Sequence, residues 1–369
     1  MKIKVYLSDE GYGHVVRQEA IIKELFKLRS DLDITIQTQE KIDVVKEKFG
    51  DSVTYVEKFN NIKTTKTLTG YLDLDETKKC FENYSKIFNR VVEEECDNFD
   101  YDFVISDTVP EAHEVARLNN VPSFGIFHFD WGWFCSRVYP ELTETINLFE
   151  KCYSSSTKIY MPPFSPPDIT AKYSTNLINV PCIINDFNNV DIPKTNKVNV
   201  LIMDNGTSTL SEIILHNFSN FLSLSNYHFF MSDKLAPPQA GKSNKNITLV
   251  SGLKNVHSLI PKVDVIVARA GYNTITESLI TGVPLLLVNE GDNPEVNFNV
   301  KEVCSKGLSF SISTDEYRDE FIVMFEDFMK NHYNNVKENL LVLANQGKRP
   351  IIKSGAKVIA KDILKESII

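Results

Sequence analysis

Two short apolar runs separated by a glycine-containing turn lie near residues 263–288. The first, Val263 to Val267, is rich in β-branched residues, and the second runs from Val283 to Val288. Runs of this length are typical of buried parallel strands. Gly271 relaxes the turn between them, and the residues that follow it predict a short helix. The stretch therefore predicts a strand–turn–helix–strand unit of a parallel α/β sheet.

The predicted helix would begin at the carboxyl edge of that sheet, capped by Asn273 or Thr274. Its N–H groups and positive dipole end would then face an anion such as a diphosphate. Glu277 lies one turn further, in helical register with both capping candidates. A carboxylate in this position can accept hydrogen bonds from both hydroxyls of a ribose. We therefore predict a nucleoside diphosphate site with Glu277 on the ribose.

The rest of the chain has the composition of a globular protein of two domains. Its 369 residues can form two cores of ordinary size. A formal net charge of −9 without an extended basic run argues against nucleic acid as a partner. No stretch approaches the ~20 apolar residues of a membrane span, and the N-terminus lacks the pattern of a secretory signal. Six scattered cysteines without a Cys-x-x-Cys pair are typical of reduced thiols. A cytoplasmic location is expected.

Strand and helix patterns alternate in two series, each typical of a doubly wound sheet. A Pro-rich segment at 161–167 follows the first series. We predict an N-terminal Rossmann-like domain over 1–165, an interdomain linker over 166–196, a C-terminal Rossmann-like domain over 197–350, and a C-terminal helix within 351–369.

A second candidate site follows the first predicted strand, Ile3 to Leu7. Gly11 and Gly13 would let a ligand approach the backbone, and His14 would stand at the N-terminus of the next helix. The helix dipole disfavours the imidazolium there and leaves a neutral ring that can act as a base. The alternatives are a phosphate-binding loop in which His14 only donates, or an ordinary turn.

Asp107 closes the predicted strand Phe103 to Ser106 and should reach the same sheet edge as His14. A carboxylate there could orient His14 and stabilise its protonated form. The alternative is that Asp107 caps the helix that Pro110 begins. Asp73 and Asp75 similarly predict a helix cap and not a metal site.

Several of these segments resemble known families. Arg269-Ala-Gly-Tyr-Asn-Thr-Ile-Thr-Glu-Ser278, followed by Gly282-Val-Pro284, resembles the donor-nucleotide motif of GT-B glycosyltransferases of the plant secondary-product and lipid-linked peptidoglycan classes. Tyr101 to Pro110, with Phe129-Asp-Trp131 downstream, is similar to the glycosyltransferase-like N-terminal domain of L-arabinose kinases. The resemblance implies two Rossmann-like domains facing across a cleft, a nucleotide-sugar donor on the second domain, an acceptor side on the first, and a last helix that packs back on the N-terminal domain.

Candidate donor contacts beyond Glu277 come from the predicted turns of the second domain. They are Asn205, Gly206, Thr207, Gly252, Leu253, Arg269, Gly271, Tyr272, Asn273, Thr274, Asn293 and Glu295. Arg269 replaces the histidine of the plant motif and can bind a phosphate. The plant class places an acidic–amide pair on the donor sugar where this chain has Asn293 and Pro294, so contacts to the sugar are expected to differ.

Candidate acceptor contacts centre on the aromatic run from Phe127 to Phe134, which could form a stacking platform or belong to the core. The candidates are Gly13, Arg17, His128, Asp130 and Trp131. His128 and Asp130 are also alternative bases. The acceptor class stays open among carbohydrates, lipid-linked molecules and small molecules, and so does peripheral membrane contact.

The residues and the resemblance together predict an inverting glycosyltransferase that uses a nucleotide-diphosphate sugar, such as a UDP-sugar, without a cofactor. Helix dipoles and side chains would neutralise the leaving diphosphate without a metal. A sugar-nucleotide hydrolase or 2-epimerase of the same fold is one alternative, and a non-catalytic sugar-nucleotide-binding module is another. Release of nucleoside diphosphate that depends on the acceptor would distinguish the glycosyltransferase from both alternatives.

Overall fold

The protein forms two compact units, each built around its own parallel sheet. The first comprises Met1–Thr65, Leu72–Asn185 and the segment that contains Gly355–Glu366, and the second comprises Lys66–Tyr71 and the chain from Asp186 up to that segment. The computed structural model describes residues 1–58, 62–68, 70–187, 191–192, 196–203, 208–235, 243–244, 246–289, 291–313, 320–345 and 354–366.

In the first unit seven described strands form a sheet in the order β3-β2-β1-β4-β5-β6-β7, all parallel. The strands are β1 Lys2–Leu7, β2 Asp33–Gln37, β3 Thr54–Val56, β4 Phe103–Asp107, β5 Ser123–Ile126, β6 Lys158–Met161 and β7 Leu177–Asn179. The helices are α1 Gly13–Leu28, α2 Ile42–Phe49, α3 Leu74–Cys96, α4 Pro110–Leu118, α5 Trp131–Val138, α6 Thr143–Ser154, α7 Pro167–Lys172 and, from the C-terminal segment, Gly355–Glu366.

In the second unit seven described strands follow the order β10-β11-β9-β8-β12-β13-β14, parallel except for β10 against β11. The strands are β8 Val198–Met203, β9 Tyr227–Ser232, β10 Ser243–Asn244, β11 Ile247–Val250, β12 Val265–Arg269, β13 Leu285–Asn289 and β14 Phe310–Ser313. The helices are α8 Ser208–Ser223, α9 Leu253–Leu259, α10 Tyr272–Thr281, α11 Pro294–Cys304, α12 Phe321–Asp327 and α13 Tyr333–Asn345. The C-terminal helix Gly355–Glu366 of the first unit is α14.

Both sheets reverse their winding direction beside their first strand. In the first unit this switch lies between β1 and β4, and in the second it lies between β8 and β12. Ligands of open α/β sheets bind outside the carboxyl ends of the strands at such a switch point. The topology thus places the turns after β1, β4 and β12 where a ligand is expected. The prediction of two doubly wound α/β sheets is confirmed.

The segment 166–196 differs from the predicted linker, because it contributes regular structure to the first unit. Pro167 and the residues after it form α7, and Ile178 of β7 pairs with Tyr160 of β6. The high content of Pro, Asn and Asp around these short elements concealed them in the sequence. The first unit extends to Asn185.

Helix α14 belongs to the core of the first unit. Its residues Ile359, Ala360 and Ile363 are completely buried in the same apolar cluster as Ile21 and Ile22 of α1. At the polar edge of this contact Lys158 of β6 forms ion pairs with α14, 2.9 Å from Asp362. Burial of apolar side chains is the main contribution to such docking, at roughly 25 cal/mol per Å².

Gly355, the first residue of α14, offers a test of this docking. A Cβ atom at this position would lie 2.1 Å from the backbone oxygen of Pro181, which cannot rotate away. We expect Gly355→Ala to lower the free energy of unfolding by about 1–3 kcal/mol, as overpacking does, in a urea titration. Gly11→Ala is the matched control, because no atom lies within 4 Å of the added carbon. An equal effect of both changes would contradict the docking.

Candidate active site

His14 and Asp107 lie in direct contact at the carboxyl edge of the first sheet. His14 Nδ1 is 2.7 Å from Asp107 Oδ1, and Leu7 at the end of β1 pairs with Asp107 at the end of β4. Asp107 is completely buried, whereas the His14 side chain keeps about a tenth of its surface exposed, at 11%. The sequence predicted this pairing because the carboxyl ends of neighbouring parallel strands meet at one edge. A histidine held in this way can act as a base.

The turn after β4 aims Asp107 into the site instead of letting it cap a helix. Helix α4 begins at Pro110 with Val109 as its N-cap, so the capping alternative for Asp107 is wrong. Thr108 has φ +64°, a left-handed conformation that β-branched residues rarely adopt. Ser106 Oγ donates to Val109 O at 2.7 Å and accepts from Val109 N at 3.0 Å, and these bonds hold the turn. Strain of about 1–3 kcal/mol at such a residue is common where function requires the geometry.

Two further residues of α1 bind Asp107, and the sequence analysis did not assign them to this role. Arg17 Nε donates to Asp107 Oδ2 at 3.0 Å, its Nη2 donates to Oδ1, and Gln18 Nε2 donates to Oδ2 at 2.9 Å. Burial favours the protonated acid, but Arg17 and His14 hold the pKa of Asp107 well below its usual value. The signal was present in the sequence, since Arg17 and Gln18 follow His14 at i+3 and i+4 on one helix face.

The aromatic run is core, and it does not provide an exposed platform for an acceptor. Trp131 is completely buried, with ring centroids 5.7 Å from Phe81 and 5.5 Å from Phe134. Asp130 is also completely buried, and it caps α5 by accepting a hydrogen bond from Trp133 N at 2.7 Å. The predicted acceptor roles of Trp131 and Asp130 are therefore wrong, because both side chains are removed from solvent, that of Trp131 by packing against Phe81 of α3.

The remaining acceptor candidates lie at different depths. Gly13 is the first residue of α1 and is partly exposed beside His14. His128 is 5% exposed, with its ring 5.0 Å from the Phe129 ring. Arg17, at 2% exposed, is engaged with Asp107. Of these candidates Gly13 lies closest in the chain to the proposed base.

In the second unit the turn between β12 and α10 has the predicted strand–turn–helix form. Helix α10 begins at Tyr272 with Gly271 as its N-cap, so the expected capping by Asn273 or Thr274 is wrong. Asn299 of α11 donates from Nδ2 to Ala270 O at 3.0 Å and holds the turn from the adjacent helix. The first-turn N–H groups of such a helix point toward an anion site.

Arg269 is the last residue of β12 and is partly exposed next to this turn. Tyr272 and Thr274 in the first turn of α10 are buried, at 5% and 2% exposed, whereas Asn273 is partly exposed. Arg269 and the first turn of α10 are thus together at the switch point of the second sheet. A guanidinium and a helix N-terminus favour the same ligand, an anion.

Glu277 lies on α10, 4% exposed, and its Oε1 is 3.1 Å from His257 Nε2 of α9. The His257 ring stacks on Phe187, with centroids 4.7 Å apart and planes 16° apart. The sequence analysis singled out neither His257 nor Phe187, because no spacing links them to α10. His257 thus lies beside the carboxylate that is predicted to bind a ribose.

The other donor candidates differ in their exposure and in the hydrogen bonds that they make. Gly252 is exposed with φ +85° and is the N-cap of α9, and Leu253 is the first residue of that helix. Asn293 caps α11, accepting from Glu295 N at 3.0 Å and Val296 N at 3.2 Å. Its side-chain oxygen is therefore committed to the helix and not presented to a sugar, while Glu295 is partly exposed. Asn205, Gly206 and Thr207 lie outside the described residues.

In the part of the chain that the structure describes, three or more His, Cys, Asp or Glu side chains nowhere come together in a way that could hold a metal ion. Nor does any helix in that part have the length and apolar character needed to cross a membrane.

Comparison with known proteins agrees with this architecture. Residues 225–349 match the family model described as Glycosyltransferase family 28 C-terminal domain. No curated protein sequence matches the chain. Among solved structures, the chain is similar to the glycotransferase of kitacinnamycin, at 15% identity over 99% of this chain and 98% of that chain, with a TM-score of 0.70.

Two further solved structures give the same result. Arabidopsis thaliana UGT89C1 complexed with UDP-L-rhamnose is 12% identical over 100% of this chain and 99% of that chain, with a TM-score of 0.67. The glycosyltransferase SnogD from Streptomyces nogalater is 12% identical over 100% of this chain and 99% of that chain, with a TM-score of 0.66. Likeness at these identities shows the fold. The chain is thus a GT-B-fold protein, and residues 225–349 within its second unit match the C-terminal domain of family 28 glycosyltransferases.

Proposed function

We propose that the protein is a glycosyltransferase that moves a sugar from a nucleotide-diphosphate sugar to an acceptor hydroxyl with inversion. The observation that carries this proposal is the contact of 2.7 Å between His14 and Asp107 at a switch point of the first sheet. The family match of the second unit supports a nucleotide-sugar donor. The similarity to a structure solved with UDP-L-rhamnose favours a UDP-sugar.

In this proposal His14 takes the proton of the acceptor. Because an ionised carboxylate only accepts hydrogen bonds, Asp107 holds the proton on Nδ1 of His14 and leaves Nε2 as the base. Nε2 removes the hydroxyl proton as the acceptor oxygen forms a bond to the anomeric carbon. The bond from that carbon to the diphosphate oxygen breaks, and the nucleoside diphosphate leaves. A single displacement of this kind inverts the anomeric centre.

The second unit would hold the donor in this reaction. The N-terminus of α10 and Arg269 would bind the diphosphate and stabilise its growing negative charge without a metal or other cofactor. Glu277 would accept hydrogen bonds from the ribose hydroxyls. Each carboxylate oxygen accepts more than one hydrogen bond, so the contact with His257 is compatible with this role.

The experiment that tests the proposal incubates the protein with a panel of nucleotide sugars, with and without candidate acceptors, and follows release of nucleoside diphosphate. Transfer predicts release that depends on the acceptor, with a product of inverted anomeric configuration by NMR. Release at the same rate without any acceptor would instead favour a hydrolase or an epimerase. Tight donor binding without release would favour a binding module.

Glu277→Ala is expected to weaken binding of the nucleoside diphosphate by about 10²–10⁴-fold, since hydrogen bonds from two ribose hydroxyls are lost. The change removes hydrogen bonds to a charged acceptor, each of which contributes about 1.5–3 kcal/mol. Isothermal titration calorimetry measures the change in Kd. Glu302→Ala is the matched control, because Glu302 pairs with Lys306 on the exposed side of the same unit. Equal affinities of the two variants would remove Glu277 from the donor site.

A further inference from the structure

The carboxylate of Asp107 has an unusually complete set of partners from one helix. His14, Arg17 and Gln18 follow one another at helical spacing on α1. His14 contacts Oδ1 of Asp107, Gln18 contacts Oδ2, and Arg17 contacts both oxygens. Arg17 alone binds both oxygens, through Nε and Nη2. This two-point geometry fixes the plane of the carboxylate, which a single hydrogen bond would not do.

Charge gives Arg17 a role that His14 cannot fill. A carboxylate that is completely buried needs a charged partner to stay ionised. The guanidinium of Arg17 carries a permanent charge, whereas the charge of His14 changes when it takes up a proton. Arg17 therefore compensates Asp107 before and after proton transfer. With a side chain only 3% exposed, it is itself a buried charge that depends on Asp107.

Arg17 also bears on the tautomer of His14. Its Nη2 lies 3.1 Å from His14 Nδ1, but the Nδ1 contact with Asp107 is shorter, at 2.7 Å. A guanidinium only donates, so Nδ1 cannot serve both neighbours in one protonation state. Because the ionised Asp107 only accepts hydrogen bonds, its contact at 2.7 Å requires a hydrogen on Nδ1, and the approach of Nη2 to Nδ1 is then not a hydrogen bond. Loss of Arg17 would free the carboxylate to rotate and release this constraint.

We propose that Arg17 is a positioning residue that fixes the orientation and charge of Asp107, and through Asp107 the tautomer of His14. The effect of Arg17 on turnover rests on the proposed function, whereas its effects on stability and on the tautomer of His14 do not. Arg17 thus acts behind the base and not on the acceptor, where the sequence had suggested a contact.

A double-mutant cycle with Arg17→Met, Asp107→Asn and the combined variant tests the structural part. Either single change leaves one buried charge without its partner, and we expect each to lower the midpoint of thermal unfolding by roughly 6–20 °C. The combined variant should lose much less than the sum of the two. Additive losses would overturn the proposal. Arg29→Met, at an exposed ion pair with Asp31, is the control and should shift the midpoint little.

Arg17→Lys keeps the charge but loses the two-point geometry, and it tests the positioning part even if Arg17→Met does not fold. NMR of ¹⁵N-labelled histidines should show His14 as the Nδ1–H tautomer in the wild type and as a mixture in Arg17→Lys. Turnover should fall at least tenfold through kcat, with the KM of the acceptor changed less than twofold. A raised acceptor KM with an unchanged tautomer would make Arg17 an acceptor contact instead. If the wild type catalyses no transfer, the cycle and the NMR signal still decide the proposal.

Discussion

Replacing His14 with alanine is expected to lower acceptor-dependent turnover by about 10²–10⁴-fold, the usual contribution of a positioned general base. The loss should appear in kcat, because the donor contacts proposed for Glu277 and Arg269 lie on the other unit and stay intact. The fold should survive the change, since Arg17 and Gln18 still compensate and bind Asp107. Release of nucleoside diphosphate in the presence of acceptor measures the effect.

A second histidine provides the control for this experiment. His332 is a half-exposed residue of the second unit, beside Asp327, and His332→Ala should leave turnover within about twofold of the wild type, as surface changes usually do. The calorimetric Kd for the nucleoside diphosphate should be the same in all three proteins. Full turnover by His14→Ala would eliminate His14 as the base, whatever its contact with Asp107.

Acid is expected to destabilise the first unit through His113, a histidine buried in α4 with Nδ1 3.0 Å from Ser123 Oγ. Burial lowers the pKa of His113 from 6.5 to about 3. Between these values the unfolded chain binds a proton that the folded chain does not, so stability falls as the pH falls from about 6.5 toward 3. The slope is about 1.4 kcal/mol per pH unit, and the total loss is roughly 5 kcal/mol.

Urea unfolding of the wild type and His113→Gln at pH 7, 5.5 and 4.5 isolates this contribution from that of the carboxylates. The variant should be less stable at pH 7, because the imidazole packs 5.7 Å from the Tyr153 ring, but its stability should fall less steeply with acid. His332→Gln is the control variant, at a half-exposed position beside Asp327. Parallel curves for wild type and His113→Gln would contradict the buried neutral state.

The sequence was sufficient to place those residues whose position follows from the direction of the strands or from helical periodicity. His14 and Asp107 come directly after strands of one parallel sheet, so their meeting at its carboxyl edge followed from topology. Asp73 preceded a strong helical pattern, and it caps α3 by accepting from Glu76 N at 3.0 Å. Glu277 lies on a helix that begins where the glycine predicted a turn. Each of these predictions depends on neighbours in the chain or on adjacent strands.

The sequence was insufficient where packing between distant segments decides exposure. From the sequence alone, Trp131 could belong to a stacking platform or to the core. Only the structure shows that Phe81 of α3 packs against it. Asn293 has the chemistry of a sugar contact, but it precedes a proline that begins α11 and is used as the cap. His257 meets Glu277 only because α9 and α10 are adjacent in space. No local pattern carries that information.

The most direct test of the central claim is a crystal structure of the protein with a bound nucleoside diphosphate. We predict that the diphosphate lies at the N-terminus of α10 beside Arg269, with both ribose hydroxyls within ~3 Å of the Glu277 carboxylate, the distance of a charge-assisted hydrogen bond. A nucleotide bound elsewhere, with Glu277 contacting only His257, would contradict the account.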